Sequence, residues 1–140
     1  MPVDIHAFVE AGRGRLPGLL GVEVDEVEHG RVRMHLRLRP ELLAPNGYLH
    51  AGTVVALGDS ACGYGCIASL PDGANGFTTI ELKTNFLATV LEGTIHAESR
   101  LLHGGRTTQI WDAAISDDNG KTLALFRCTQ LLLYPARGVS

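Results

Sequence analysis

At 140 residues the chain has the length of one ordinary domain, roughly 100–150 residues, and is long enough to bury a hydrophobic core. Its formal net charge of −3 lacks the basic excess of a nucleic-acid binder, and no segment approaches the roughly 18–20 uninterrupted apolar residues that span a bilayer. At 45% hydrophobic and 19% charged it is somewhat more apolar than an average soluble domain, which hints that a second subunit covers part of its surface.

The opening Met1-Pro2-Val3-Asp4-Ile5-His6 has no charged stretch followed by an apolar run, so no signal peptide is visible and a cytoplasmic location is expected. Cys62, Cys66 and Cys128 form no even framework and no Cys-x-x-Cys pair; they read as small core residues in a reducing compartment. The six histidines show no metal-ligand spacing, and no metal site is expected.

In chain order, residues 4–16 suit a short helix: Asp4 can cap it, Ile5, Phe8 and Val9 give it an apolar side, and Pro17-Gly18 should stop it. Residues 22–27 read as a strand turning at His29-Gly30. In the next stretch Val32, Met34, Leu36 and Leu38 alternate with Arg31, Arg33, His35, Arg37 and Arg39, as in a half-buried strand. The arginine stripe is its wet face, or alternatively an oligomer contact. Pro40 to Leu49 is a loop carrying the turn signal Pro45-Asn46-Gly47.

Residues 52–69 hold no Lys, Arg or Glu, and Asp59 is their only acid. The pattern predicts a long helix buried on all sides. Gly52, Gly58, Gly63 and Gly65 each cost such a helix about 0.5–1 kcal/mol relative to alanine, which makes sense if the helix lies close against a sheet or a second helix.

The remainder reads as β. Residues 78–87 put Ile80, Leu82 and Phe86 on one face and Glu81, Lys83 and Asn85 on the other. Strands over 94–102, 106–116 and 122–134 follow, with tight turns at His103-Gly104-Gly105 and at Asn119-Gly120. Short connections predict a four-stranded antiparallel meander, and the whole an α+β domain in which the sheet wraps one central helix.

Asp59 stands out as the one charged group in an apolar helix. Burying a carboxylate without a partner is costly, and desolvation raises its pKa toward the range of a general base. The plain alternative is a capping or packing Asp that bonds backbone groups. Just upstream, Asn46-Gly47-Tyr48-Leu49-His50-Ala51-Gly52 leads into the helix, whose unpaired N–H groups could stabilise an oxyanion. His50 alone reads equally as a surface or capping histidine.

These residues resemble the PaaI-type hotdog thioesterases, named for the phenylacetate degradation pathway. That family carries an Asn, then His-Gly-Gly at a helix start, and a catalytic Asp or Glu nine residues after the His. Here His50-Ala51-Gly52 precedes Asp59 by the same interval. The resemblance runs over about residues 18–134 and includes Gly-Phe-Thr-Thr-Ile-Glu-Leu at 76–82 and Gly104-Gly105-Arg106.

The resemblance implies a hotdog fold and hydrolysis of an aryl, arylacetyl or medium-chain acyl-CoA by a homo-oligomer, dimer or dimer of dimers, with no bound cofactor. Asp59 would activate water or attack the thioester, the Ala51 N–H would hold the oxyanion beside Gly52, and His50 and Asn46 would orient the thioester. Thr79 would help place the water from across a subunit interface. Ala51 replaces the usual first glycine, and the interval from Asn46 to His50 is shorter than in several members. Lys83, Arg106, Lys121 and Arg137 are candidates for the CoA phosphates, against the simpler reading of solvated charges. The rival readings are a hotdog enoyl-CoA hydratase or dehydratase, and a non-catalytic acyl-CoA-binding module on the same fold.

Overall fold

The computed structural model describes residues 3–136. Asp4 caps the first helix, α1 (Ile5–Gly12), its Oδ1 accepting the His6 N–H at 3.0 Å. The helix does not run to residue 16. It ends before Gly14, whose φ of +73° leaves the helical region, and Pro17 lies in the first turn of a second short helix, α2 (Leu16–Leu20). A proline there costs no internal hydrogen bond, so it opens a helix rather than stopping one.

Strands β1 (Glu23–Glu28) and β2 (Arg31–Arg37) form the expected hairpin. Val32, Met34 and Leu36 are fully buried. On the opposite face Arg31 pairs with Glu26 and Glu98, and Arg33 with Glu26. Helix α3 (Ala51–Ala68) follows, then β3 (Gly76–Phe86), β4 (Thr94–Gly104), β5 (Thr108–Ser116) and β6 (Thr122–Leu133). The turn between β5 and β6 is built as its Asn-Gly implied: Gly120 has φ +82°, and Asp117 Oδ1 accepts the N–H groups of Asn119 and Lys121.

All six strands form one antiparallel sheet in the order β1-β2-β4-β5-β6-β3. The expected four-stranded meander is therefore a meander of three. β4 joins β2 rather than β3, and β3 lies at the far edge against β6. Helix α3 makes the crossing between the two halves, from the β2 side to β3, along one face of the sheet.

Three glycines let α3 lie close to the strands. A Cβ on Gly58 would meet the Phe126 ring at 3.1 Å, one on Gly63 the Phe77 ring at 3.0 Å, and one on Gly65 the Trp111 ring at 2.5 Å. Trp111 is fully buried and donates its indole N–H to Gln109 Oε1 at 2.7 Å, so its ring is held from both sides. The three cysteines are free and buried, as their spacing implied. No helix among the described residues is long and apolar enough to cross a membrane.

Gly65→Ala should therefore destabilise the fold by about 1–3 kcal/mol, although alanine is the better helix former. Urea unfolding of the variant and the parent protein measures this, and equal midpoints would contradict the close packing.

Candidate functional site

The start of α3 is fixed from its own loop. Leu43 and Leu49 form an isolated antiparallel bridge, Gly47 turns the chain at φ +88°, and Asn46 Oδ1 accepts the Tyr48 N–H at 3.1 Å. The Leu42 carbonyl accepts both the His50 N–H at 3.2 Å and the buried Thr53 hydroxyl at 2.9 Å. These bonds tie the loop to the first turn of the helix. The Asn46 side-chain oxygen is thus spent on a turn, and only its amide nitrogen is free to reach a ligand.

His50 is the N-cap: its Nδ1 accepts the Gly52 N–H at 2.7 Å. That bond requires an unprotonated Nδ1, so the neutral ring carries its proton on Nε2 and presents a donor outward. A Cβ at position 52 would stand 2.9 Å from His50 Nδ1, so a larger residue there would push the capping ring aside. The N–H groups of Thr53 and Val54 bond the His50 carbonyl at 3.0 and 3.4 Å. Among the described residues no acceptor falls to the exposed Ala51 N–H, the one expected to hold an oxyanion. The Gly52 N–H, by contrast, is occupied by the cap.

Two helical turns further on, half-buried Asp59 points toward β3, where Thr79 Oγ1 stands 3.4 Å from its Oδ1. Burial pushes the Asp59 carboxyl up from the ordinary carboxylate range, and the Thr79 hydroxyl would oppose this only by donating to it. Among the described residues Asp59 bonds no backbone group and has no cation partner, so the capping or packing alternative has no bond to rest on.

Thr79 and Asp59 belong to one chain. The expectation that Thr79 reaches Asp59 from a neighbouring subunit is corrected by this contact, and a β-bulge is the cause. The pairing of β3 with β6 slips by one residue between Thr79 and Glu81. Beyond the bulge, Leu82, Thr84 and Phe86 lie opposite the buried Cys128, Phe126 and Ala124; before it, Phe77 and Thr79 lie opposite the buried Leu132 and Gln130. Unbroken alternation would turn Thr79 away from the helix with Glu81, Lys83 and Asn85. The inserted residue, Ile80, turns it inward.

The expected CoA-phosphate residues do not converge within one chain. Arg106 precedes β5 and Lys121 follows it, at opposite ends of a nine-residue strand about 27 Å long. Lys83 lies beside Arg127, which is paired with Asp112. Arg137 lies outside the described residues. No His, Cys, Asp or Glu group capable of holding a metal occurs among the described residues.

One polar residue beside Asp59 escaped the sequence reading. Gln130 is fully buried on β6, with Oε1 accepting from Thr79 Oγ1 at 2.7 Å. Its signal was the strand parity: Gln130 falls in phase with Ala124, Phe126, Cys128 and Leu132, a polar side chain among inward apolar ones.

Comparison with known proteins bears on the fold and the family. The Thioesterase superfamily matches residues 46–124. The chain is 33% identical over 110 residues to 1,4-dihydroxy-2-naphthoyl-CoA hydrolase of Listeria monocytogenes, covering 79% of this chain and 89% of the other. Two solved structures show the same fold. A thioesterase of Pseudomonas aeruginosa superposes with TM-score 0.90 at 24% identity, covering 96% and 97% of the two chains. The PaaI protein of the Escherichia coli phenylacetic acid degradation operon superposes with TM-score 0.82 at 23% identity, covering 91% and 89%.

The raised proton affinity of Asp59 has a consequence for stability. A carboxyl whose folded pKa lies above its unfolded value costs nothing at low pH, where both states are protonated. The cost grows as pH rises through the unfolded and then the folded value, and is complete above the latter. Asp59→Asn should therefore unfold at a higher temperature than the parent at neutral pH, with the gain shrinking as the solution is acidified below the ordinary carboxylate range. Thermal unfolding across pH measures this; a variant less stable at neutral pH would show that the carboxylate is stabilised by its site.

Proposed function

The chain belongs to the Thioesterase superfamily and is a thioester hydrolase, and from that premise we propose that it hydrolyses an aromatic acyl-CoA with Asp59 as the general base. The observation that carries the reading is a half-buried carboxylate without a cation among the described residues, on the helix whose first N–H is free. A carboxylate made more basic by burial takes a proton from water more readily. In this mechanism the water oxygen adds to the thioester carbonyl as its proton passes to Asp59. The carbonyl electrons move onto oxygen, where the Ala51 N–H and the His50 Nε2–H receive the charge. Collapse expels the CoA thiolate, and the proton held by Asp59 neutralises it. The relative from Listeria, named for an aromatic acyl-CoA, supports the acyl class.

The two halves of this machinery sit far apart on one helix. Eight residues at about 1.5 Å rise separate Ala51 from Asp59 by about 12 Å, so the two do not readily converge on one carbonyl. A symmetric dimer resolves the distance, by setting the helix start of one chain beside Asp59 of the other. The exposed faces support such pairing: Ile80, Leu82 and Phe86 on edge strand β3 are 57%, 42% and 50% exposed, a long apolar edge that a soluble protein covers.

Thiol release from a panel of acyl-CoA esters tests the activity, and hydration of an enoyl-CoA without thiol release would overturn it. Asp59→Asn should lose about 10²–10⁴-fold in turnover. Ala51→Pro should keep the helix, because proline is tolerated at its first position and His50 already has the extended backbone that precedes proline. It removes the N–H, so turnover should fall by about 10²–10³-fold. If sites are shared, subunit exchange between the two variants restores activity that neither has alone. Sedimentation should show at least twice the 15.0 kDa of one chain, and a fully active monomer would refute the shared site.

A further inference from the structure

Gln130 sits where it can decide what Thr79 offers to Asp59. The hydroxyl of Thr79 has one proton and two acceptors within reach, Gln130 Oε1 at 2.7 Å and Asp59 Oδ1 at 3.4 Å. The first is an ordinary hydrogen-bond length for a hydroxyl and the second is long. The other end of the amide faces Cys128 Sγ at 3.5 Å. The nitrogen can only donate and the carbonyl oxygen can only accept, so this orientation leaves the oxygen for Thr79. Gln130 is fully buried, with Gln109 directly opposite on β5, and no water route is needed to satisfy it.

We infer that Gln130 is a positioning residue for Asp59 that acts through Thr79, by taking the hydroxyl proton and leaving the carboxylate without a donor. Thr79 then turns lone pairs toward Asp59. Those lone pairs do nothing for the carboxylate, but they can accept a hydrogen bond from Asp59 once it has gained a proton. The arrangement therefore favours the protonated product of the base step over its ionised starting form. No bond is made or broken by Gln130; the only proton transferred is the one that passes from water to Asp59. The inference rests on the reading of Asp59 as the base.

The test is the acid–base titration of Asp59 itself, followed by carboxyl carbon NMR on protein labelled at aspartate and assigned through Asp59→Asn. Gln130→Met keeps the length of the side chain and removes its acceptor. The Thr79 proton is then free to bond the carboxylate, so Asp59 should become about fivefold stronger as an acid, the worth of one net hydrogen bond of about 1 kcal/mol. The acid limb of the pH profile for benzoyl-CoA hydrolysis should move in the same direction. In a Thr79→Val background Gln130→Met should leave the titration where it was, because no hydroxyl remains to be redirected.

A disturbed core without this relay would not make the shift depend on Thr79. No shift with Gln130→Met, a shift to weaker acid, or an equal shift in the Thr79→Val background each overturns the inference. Should Gln130→Met fail to fold, Thr79→Val alone decides. Its Asp59 should titrate as a somewhat stronger acid than in the parent, because the acceptor for its proton is gone, and an equal or weaker acid would overturn the inference. None of these titrations needs turnover. Retained turnover in Asp59→Asn would sink the catalytic reading without touching them.

Discussion

The architecture depends on how closely one helix can approach one sheet. At Gly58, Gly63 and Gly65 the backbone of α3 has no side chain to hold it off, and the rings of Phe126, Phe77 and Trp111 occupy the space. Four interior or near-terminal glycines cost the helix about 2–4 kcal/mol against alanine. Burial of Trp111 and Phe126 contributes more: an aromatic side chain covers about 150–250 Å², worth about 4–6 kcal/mol each. The contacts also fix the helix in rotation and in position along its axis. Asp59 lies between Gly58 and Gly63, so the glycine contacts that seat the helix also aim the carboxylate at β3. A helix held off by alanines would tilt or rotate, and its one acid would lose that aim.

Much of this was legible in local pattern. The alternation of Val32, Met34 and Leu36 against arginine gave the buried face of β2, the glycines of the apolar helix announced its close packing, and Asn119-Gly120 marked its turn. What local pattern does not carry is the partner of each strand. β3 and β4 are neighbours in sequence, yet β4 joins β2 from the other side of the crossover helix, and β3 takes the edge offered by β6. Pairing across such a separation is decided by how the helix and the sheet close around a common core. The bulge in β3 is of the same kind. Nothing in Thr79-Ile80-Glu81 marks a slip; it appears only once inward residues on both sides of it must meet the buried row of β6.

The candidate site residues divide along the same line. Asp59 is conspicuous as the one acid in an apolar segment, and His50 and Ala51 because they stand at a helix start. The basic residues could not be sorted, since a lysine on a strand carries no mark of which end of the sheet it serves. Arg106 and Lys121 show this at opposite ends of β5. Gln130 was hidden for another reason. A lone glutamine in a strand reads as a surface residue until the parity of the whole strand is settled.

The fully buried polar side chains around α3 are hydrogen-bonded within the chain, in contrast to half-buried Asp59. Ser99 donates to the Ala61 carbonyl at 3.0 Å, Gln109 donates to the Ser69 carbonyl at 2.8 Å and accepts from Trp111, and Ser69 Oγ accepts from the Gly30 N–H at 2.8 Å. Each is a neutral group in a short bond, the arrangement that makes burial of polarity tolerable. The cations are elsewhere: Arg31, Arg33 and Arg127 lie on the outer face of the sheet, matched to Glu26, Glu98 and Asp112. An acid kept for stability would be expected among those cations, or to bond backbone. Asp59 instead has a hydroxyl at 3.4 Å that a second acceptor holds more tightly. Its site withholds both a counter-charge and a close donor, and the ionised form is left dependent on what enters from outside. That dependence is a disadvantage for folding, and it is the property that the proposed role of Asp59 as a base would use.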